Sequence, residues 1–153
     1  MDIASKPQDR IEREIMIDAP IEQVWRLVSE PGWWIGDGDH ADQVVTHAGE
    51  LVVVDDPRFG RWAVLPVSSQ PPHHVSFRWP ASPGDEPSMV GDSTLVEFLL
   101  AEQGEGTRLR VVESGLASVD LPAEQRVAAV EGKEKGWREQ LGYAKRDVER
   151  IRA

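Results

Sequence analysis

Residues 127–151, VAAVEGKEKGWREQLGYAKRDVERI, decide the fold of this 153-residue chain. Apolar residues recur there at steps of three, four or seven, the spacing that places side chains on one face of an α-helix. Seven of the eight positions on this stripe are apolar, namely Val127, Val130, Trp137, Leu141, Ala144, Val148 and Ile151. The pattern predicts a helix from about Ala123 to Ala153, which needs a long apolar surface to pack against.

Three residues interrupt this helical pattern. Glu134 takes the eighth position of the stripe, where a carboxylate needs a partner or water. It is either an end-of-core residue that reaches solvent or a polar group inside a cavity. Gly132 and Gly136 each cost about 1 kcal/mol relative to alanine in a helix interior. Both are predicted to point away from the stripe, so close packing does not obviously explain them.

The composition excludes several classes of partner. The chain has 17 basic and 27 acidic residues, a net charge of −10, and no cysteine. An acidic surface is poorly suited to polyanions, so nucleic acid and anionic membranes are not expected partners. Met1 to Arg10 are polar and predict a flexible arm rather than a signal peptide, and no apolar run is long enough to span a membrane. We expect a soluble, cytoplasmic protein.

The order of elements indicates an α+β fold. Ile11, Ile15 and Ile17 suggest a first strand over 11–17, and an apolar face predicts a helix over 20–29. A second short helix, then five or six strands, then the long helix complete the order. The expected sheet is antiparallel, curved and of about six strands, with the long helix lying across it. The space left between sheet and helix is the expected pocket.

Aromatic residues form the strongest candidate site. The inner face of the sheet and the long helix bring several rings together, and these rings either pack as core or line a ligand cavity. Two carboxylates are candidate polar groups beside them. The predicted ligand-binding residues are Trp33, Trp34, Trp62, Phe77, Trp79, Phe98, Glu113, Glu134 and Trp137.

No metal, cofactor or catalytic motif is expected. Asp37, Asp39, His40 and Asp42 are the residue types that bind cations, but they lack the spacing of a calcium loop. No nucleophile elbow, phosphate-binding glycine loop or zinc-binding histidine pair occurs. We therefore predict no metal site, no cofactor and no catalytic residue from motifs alone.

Four segments resemble the START-like (SRPBCC) superfamily, and in particular the branch named after the activator of heat-shock-protein ATPase. The opening is EREIMIDAPIEQVW over 12–25, followed by WWIG over 33–36 and VVESGL over 111–116. Gly136-Trp137 with Leu141 completes the resemblance, which covers about 11 to 151. It implies a single domain over 11–153 with a helix-grip fold, in which a curved antiparallel sheet wraps around the C-terminal helix and encloses an apolar cavity.

Three functions are compatible with this resemblance. The first is binding of a small apolar or aromatic molecule between sheet and helix, with Trp33–Asp42 and Pro80–Asp92 as a lid. The second is a chaperone-cofactor-like module that binds another protein. The third is a cyclase or hydrolase that uses a buried carboxylate, Glu113 or Glu134. The ligand and the choice between monomer and homodimer stay open.

Overall fold

Seven antiparallel strands form one sheet in the computed structural model, which describes residues 10–80, 93–115 and 123–152. The strand order across the sheet is β1-β7-β6-β5-β4-β3-β2. A register shift between Pro66 and Ser68 interrupts the pairing of β4 with β5, and such irregularities bend a strand. The strands are β1 (Arg10–Ile17), β2 (Val44–Ala48), β3 (Leu51–Asp56), β4 (Gly60–Gln70), β5 (His74–Pro80), β6 (Ser93–Gln103) and β7 (Gly106–Ser114).

The long C-terminal helix is confirmed. Helix α2 spans Ala123–Arg152 and contacts both β1 and the first helix. Four residues of the predicted stripe are buried at its interface: Trp137, Leu141, Ala144 and Val148. The side chains of Val127 and Ile151 lie outside the described part of the chain. The apolar stripe therefore holds α2 against the inner face of the sheet.

Helix α1 spans Ile21–Val28 and follows β1 directly. Its apolar residues Ile21, Val24 and Val28 are buried, as their spacing of three and four predicts. Pro20 precedes its first turn with the extended backbone of an N-cap residue. The first strand and the first helix therefore match the expectation from sequence.

Two counts differ from the prediction. The sheet has seven strands rather than about six, and the described residues contain one short helix after β1 rather than two. Residues 31–38 form turns, because Gly32, Gly36 and Gly38 have φ angles of 82°, 103° and 90°. These left-handed conformations cannot continue a right-handed helix.

Some predicted segments lie outside the described residues. They are residues 1–9 of the arm, residues 81–92 of the loop assigned to the lid, and Ala153, the expected end of the long helix. Arg10, assigned to the arm, begins β1 instead. Within the described chain, no helix is both long and apolar enough to cross a membrane.

Candidate functional site

The space between sheet and helix is occupied by aromatic rings. Trp34 lies 5.3 Å from Phe77, 5.4 Å from Phe98 and 6.1 Å from Trp137 between ring centroids. Trp33 lies 5.2 Å from Phe98, and all five rings are buried. At these separations the rings contact one another. They fill the region where the resemblance implied an enclosed apolar cavity.

Open space lies beside this aromatic core instead. A groove of about 360 Å³ runs along α2, between the turn that contains Trp34 and the end of β5. We call it the tryptophan groove. Its lining residues are Trp34, Trp79, Gly132, Lys133, Gly136, Trp137 and Gln140.

Two glycines keep the helix side of the tryptophan groove open. A Cβ atom added to Gly132 or Gly136 would meet no atom within 4 Å among the described residues. Neither glycine therefore serves a close helix contact there. Each nevertheless destabilises the helix by about 1 kcal/mol relative to alanine. The two positions leave room along one wall of the groove.

Glu113 anchors two of the tryptophan walls from behind. Its side chain is fully buried on the inner face of β7. Trp137 Nε1 donates to Oε1 at 2.8 Å, and Trp79 Nε1 donates to Oε2 at 3.0 Å. Thr94 Oγ1 and Lys133 Nζ also donate to Oε2, at 2.5 and 3.1 Å. A buried carboxylate with four donors is fully compensated and fixes the orientation of the two indoles.

Lys133 is the charged residue in the groove lining. Its Nζ lies 3.1 Å from Glu113 Oε2 and 4.8 Å from the centre of the Trp79 ring. The ammonium is therefore held by an ion pair and a cation–π contact together. Because the lysine and the glutamate neutralise each other, the groove presents hydrogen-bond donors without a net charge.

Two other lining residues have polar atoms without a partner in the described part of the chain. They are the Trp34 Nε1 donor and the Gln140 Oε1 acceptor, both buried. The amide nitrogen of Gln140 is engaged, because it donates to the carbonyl of Gly36 at 2.6 Å. Both atoms are enclosed by protein, so neither is exposed to the groove.

The structure separates the nine predicted site residues into four groups. Trp34, Trp79 and Trp137 line the groove, and Glu113 lies behind them. Trp62 packs on Trp79 with a centroid distance of 5.1 Å. Glu134 forms an ion pair with Arg13 at 3.6 Å and does not line the groove. The remaining three, Trp33, Phe77 and Phe98, are core residues. Their role in ligand binding stays a prediction.

Sequence reasoning missed four residues of the groove. Gly132, Gly136 and Gln140 recur at steps of four, and Lys133 stands beside them. This spacing places them on one helix face, next to the apolar stripe that contains Trp137. The recurrence was therefore visible in the sequence. Trp34 and Trp79, which lie opposite that face, were predicted as site residues.

In the acidic segment after Trp34, Asp37 is paired with Arg58. Both oxygens of Asp37 accept hydrogen bonds from Arg58, at 2.9 and 3.0 Å. These bonds hold the pKa of Asp37 below its ordinary value, with the backbone N–H of Asp39 adding to the effect. The described residues contain no group of three His, Cys, Asp or Glu side chains that could hold a metal ion.

Comparison with known proteins supports the same fold. A family model described as Activator of Hsp90 ATPase homolog 1-like protein matches residues 18–143. Protein MLL2253 from Mesorhizobium loti is 21% identical, with a TM-score of 0.66 over 92% of this chain and 97% of that one. XoxI from Bacillus cereus is 10% identical, with a TM-score of 0.68 over 95% and 99% of the two chains. A protein from Arthrobacter aurescens is 16% identical, with a TM-score of 0.67 over 98% and 90%.

Identities this low show a shared fold and nothing more, and no curated protein matches the sequence. The family model has more weight, because it covers most of the chain and includes both the turn with Trp34 and the groove face of α2. The START-like resemblance of the motifs is confirmed, and the chain belongs to the family of Activator of Hsp90 ATPase homolog 1-like proteins.

Proposed function

We propose that this protein binds a small, largely apolar aromatic molecule in the tryptophan groove. The observation on which the proposal rests is the pairing of three tryptophans with two helix glycines that have open space above them. Flat indole walls suit a planar ring system, since aromatic rings pack with centroids about 4.5–7 Å apart. Gly132 and Gly136 leave room for such a ring against the helix backbone.

Burial would supply most of the affinity. An aromatic molecule that buries about 150 Å² of apolar surface gains about 4 kcal/mol at about 25 cal/mol per Å². Part of this gain is offset by the loss of free motion on binding. The partly exposed Lys133 ammonium would orient an oxygen or nitrogen acceptor on the ligand.

The bonding of Glu113 favours binding over catalysis. A general acid or base needs a free lone pair or proton within reach of the substrate. Four donors already occupy the two oxygens of this carboxylate, and its side chain is fully buried. Glu134, the other candidate, lies in an ion pair with Arg13 away from the groove. The cyclase or hydrolase alternative therefore has less support than a binding role.

The test compares alanine substitutions at three glycines of α2. Gly136→Ala and Gly132→Ala place a methyl group inside the groove, whereas Gly142→Ala adds one on the same helix outside it. All three should raise the free energy of unfolding by up to about 1 kcal/mol, because alanine favours the helix. Only the two groove variants should weaken binding of 2-naphthol, measured by quenching of tryptophan fluorescence.

Each variant is measured both for its free energy of unfolding and for its affinity for 2-naphthol, so that a loss of binding can be distinguished from a loss of folding. Stable, folded groove variants with at least about tenfold weaker binding, a difference of about 1.4 kcal/mol, support the proposal. Absence of 2-naphthol binding by the unmodified protein, or equal affinity in all three variants, would contradict it. Naphthalene and indole serve as further probes, because they share the flat ring but differ in polar substituent.

A further inference from the structure

Strand β2 is an open edge of the sheet. It pairs with β3 on one side and stands last in the strand order. Within the described residues no strand pairs with its other side, and all five of its residues, Val44–Ala48, are exposed. Val44 and Val45 expose 59% and 53% of their surface. Val44 and Val45 point to opposite faces of the strand, so each face of this edge carries an exposed valine.

The edge lacks the features that usually prevent strand addition. Proteins protect open edges with charged side chains, proline or bulges. The sequence VVTHA of β2 has no proline and no lysine, arginine or carboxylate, and its register with β3 is unbroken. In an antiparallel pair, alternate residues direct their backbone N–H and C=O groups away from the partner. Those groups of β2 are therefore available to an additional strand.

A second groove lies under this edge. It has a volume of about 390 Å³, and its lining includes Val45 and His47 of β2 together with Trp33 and His40. Trp33 Nε1 and His40 Nε2 are buried atoms without a hydrogen-bond partner in the described part of the chain. Val45 and His47 lie on the same face of β2. Their partners on β3, Val54 and Val52, are buried. Side chains of an added strand would reach this groove from the same face.

The charges beside β2 indicate what kind of strand fits. Asp42 precedes β2 and Glu50 follows it, both are exposed, and neither takes part in an ion pair among the described residues. Antiparallel pairing of β2 with the β2 of a second copy about Thr46 would align Asp42 with Glu50, and like charges in that position are destabilising. A peptide with basic residues on both sides of its apolar core would instead meet opposite charges.

We propose that β2 binds an extended peptide segment of another protein as an eighth, antiparallel strand. The segment would alternate apolar and small polar residues, with lysine or arginine at both ends. Backbone hydrogen bonds would supply affinity, and the groove under Val45 would select the side chains of one face. This surface is separate from the tryptophan groove and would serve a protein-interaction role.

The test uses a labelled peptide, Lys-Lys-Val-Thr-Val-Thr-Val-Lys-Lys, in fluorescence anisotropy with the full chain. Val45→Lys introduces a charge on the edge, and Val67→Lys is its matched control, since the two valines are 53% and 52% exposed. Val67 lies on β4 at its register shift with β5, beyond the Gly60–Val64 segment that pairs with β3. Val45→Lys should weaken peptide binding at least about tenfold, and Val67→Lys less than about twofold.

Two control peptides separate charge from strand addition. Replacing both threonines by proline keeps the charge and removes backbone donors, and replacing the lysines by glutamate inverts the charge. The proposal is supported if the parent peptide binds and neither control peptide does, and if the β2 amides exchange hydrogen more slowly when it is bound. Equal binding of the proline peptide, equal loss in both lysine variants, or a β2-dependent dimer in sedimentation would overturn it. Retained 2-naphthol binding by Val45→Lys shows that the tryptophan groove is intact.

Discussion

Glu113 shows how one residue connects the core to the site. It stands on the buried face of β7 beside Leu109 and Val111, where an unpaired carboxylate would be strongly destabilising. Its four donors come from the end of β5, the start of β6 and helix α2, namely Trp79, Thr94, Lys133 and Trp137. These hydrogen bonds compensate the buried charge. They also fix the positions of two tryptophans and of the lysine in the groove.

Replacing Glu113 by glutamine should therefore affect stability and binding together. The amide has one acceptor oxygen and turns N–H groups toward indole and ammonium donors, leaving at least one of them unsatisfied. Each unsatisfied buried donor costs about 1–3 kcal/mol, so we expect the free energy of unfolding in urea to fall by about that amount. Affinity for 2-naphthol should fall as well, because the indole walls lose their anchor.

Glu97→Gln is the control for that substitution. Glu97 is a half-buried carboxylate on β6 that pairs with His74 at 3.0 Å. A hydrogen bond contributes about 0.5–1.5 kcal/mol, so its loss should cost less than that of the Glu113 contacts and should leave 2-naphthol binding unchanged. Equal losses of stability in the two variants would contradict the role assigned to Glu113.

At the scale of elements, the C-terminal half of α2 is fastened to the junction between β1 and α1. Glu149 accepts a hydrogen bond from the backbone N–H of Asp18 at 2.7 Å and another from Lys145 at 2.5 Å. Gln23 of α1 donates to the carbonyl of Val148 at 3.2 Å. These polar contacts surround the buried Ala144 and Val148, and fix the helix against the sheet.

The Glu149 contacts predict a specific dependence on pH. The hydrogen bond from Lys145, followed by that from the Asp18 N–H, holds the pKa of Glu149 below its ordinary value of 4.5. A carboxylate with a lowered pKa in the folded protein stabilises it above the ordinary value. That stabilisation is lost as pH falls from about 4.5 through the lower folded pKa.

The stability difference between the unmodified protein and Glu149→Gln should thus be present at pH 6 and should shrink on acidification below about pH 4.5. Urea unfolding over this range measures it. Glu139→Gln, an exposed substitution on the same helix, removes the same charge and is the control for the change in net charge. A difference for Glu149→Gln that grows on acidification would show that the contacts do not stabilise the folded protein.

The sequence predicts those elements whose pattern is local. The α2 stripe, the α1 face and the hairpin of β6 and β7 repeat at helix or strand spacing, and Gly104 supplies the left-handed turn between the two strands. The prediction of a second short helix is wrong, because Gly32, Gly36 and Gly38 adopt left-handed backbone conformations that a right-handed helix cannot contain. The groove depends on contacts such as Gln140 with Gly36, which are 104 residues apart. No periodic pattern encodes such a distance.

For the whole molecule, the net charge of −10 sets opposite salt responses for stability and for peptide binding. The exposed ion pairs, such as Arg58 with Asp37, contribute little individually. Repulsion among the surplus carboxylates acts over the whole surface and opposes folding. The Debye length falls from about 30 Å at 0.01 M salt to about 8 Å at 0.15 M. Salt should therefore weaken the repulsion across the surface more than it weakens ion pairs in direct contact.

Raising NaCl across that range should increase the melting temperature and decrease affinity for the basic peptide at β2, because the first depends on like charges and the second on opposite charges. Binding of neutral 2-naphthol in the tryptophan groove should stay nearly constant, since Lys133 and Glu113 neutralise each other there. Differential scanning fluorimetry and the two binding assays measure the three responses on one preparation. Peptide affinity that does not change with salt would remove Asp42 and Glu50 from the proposed recognition, and leave backbone pairing as its sole basis.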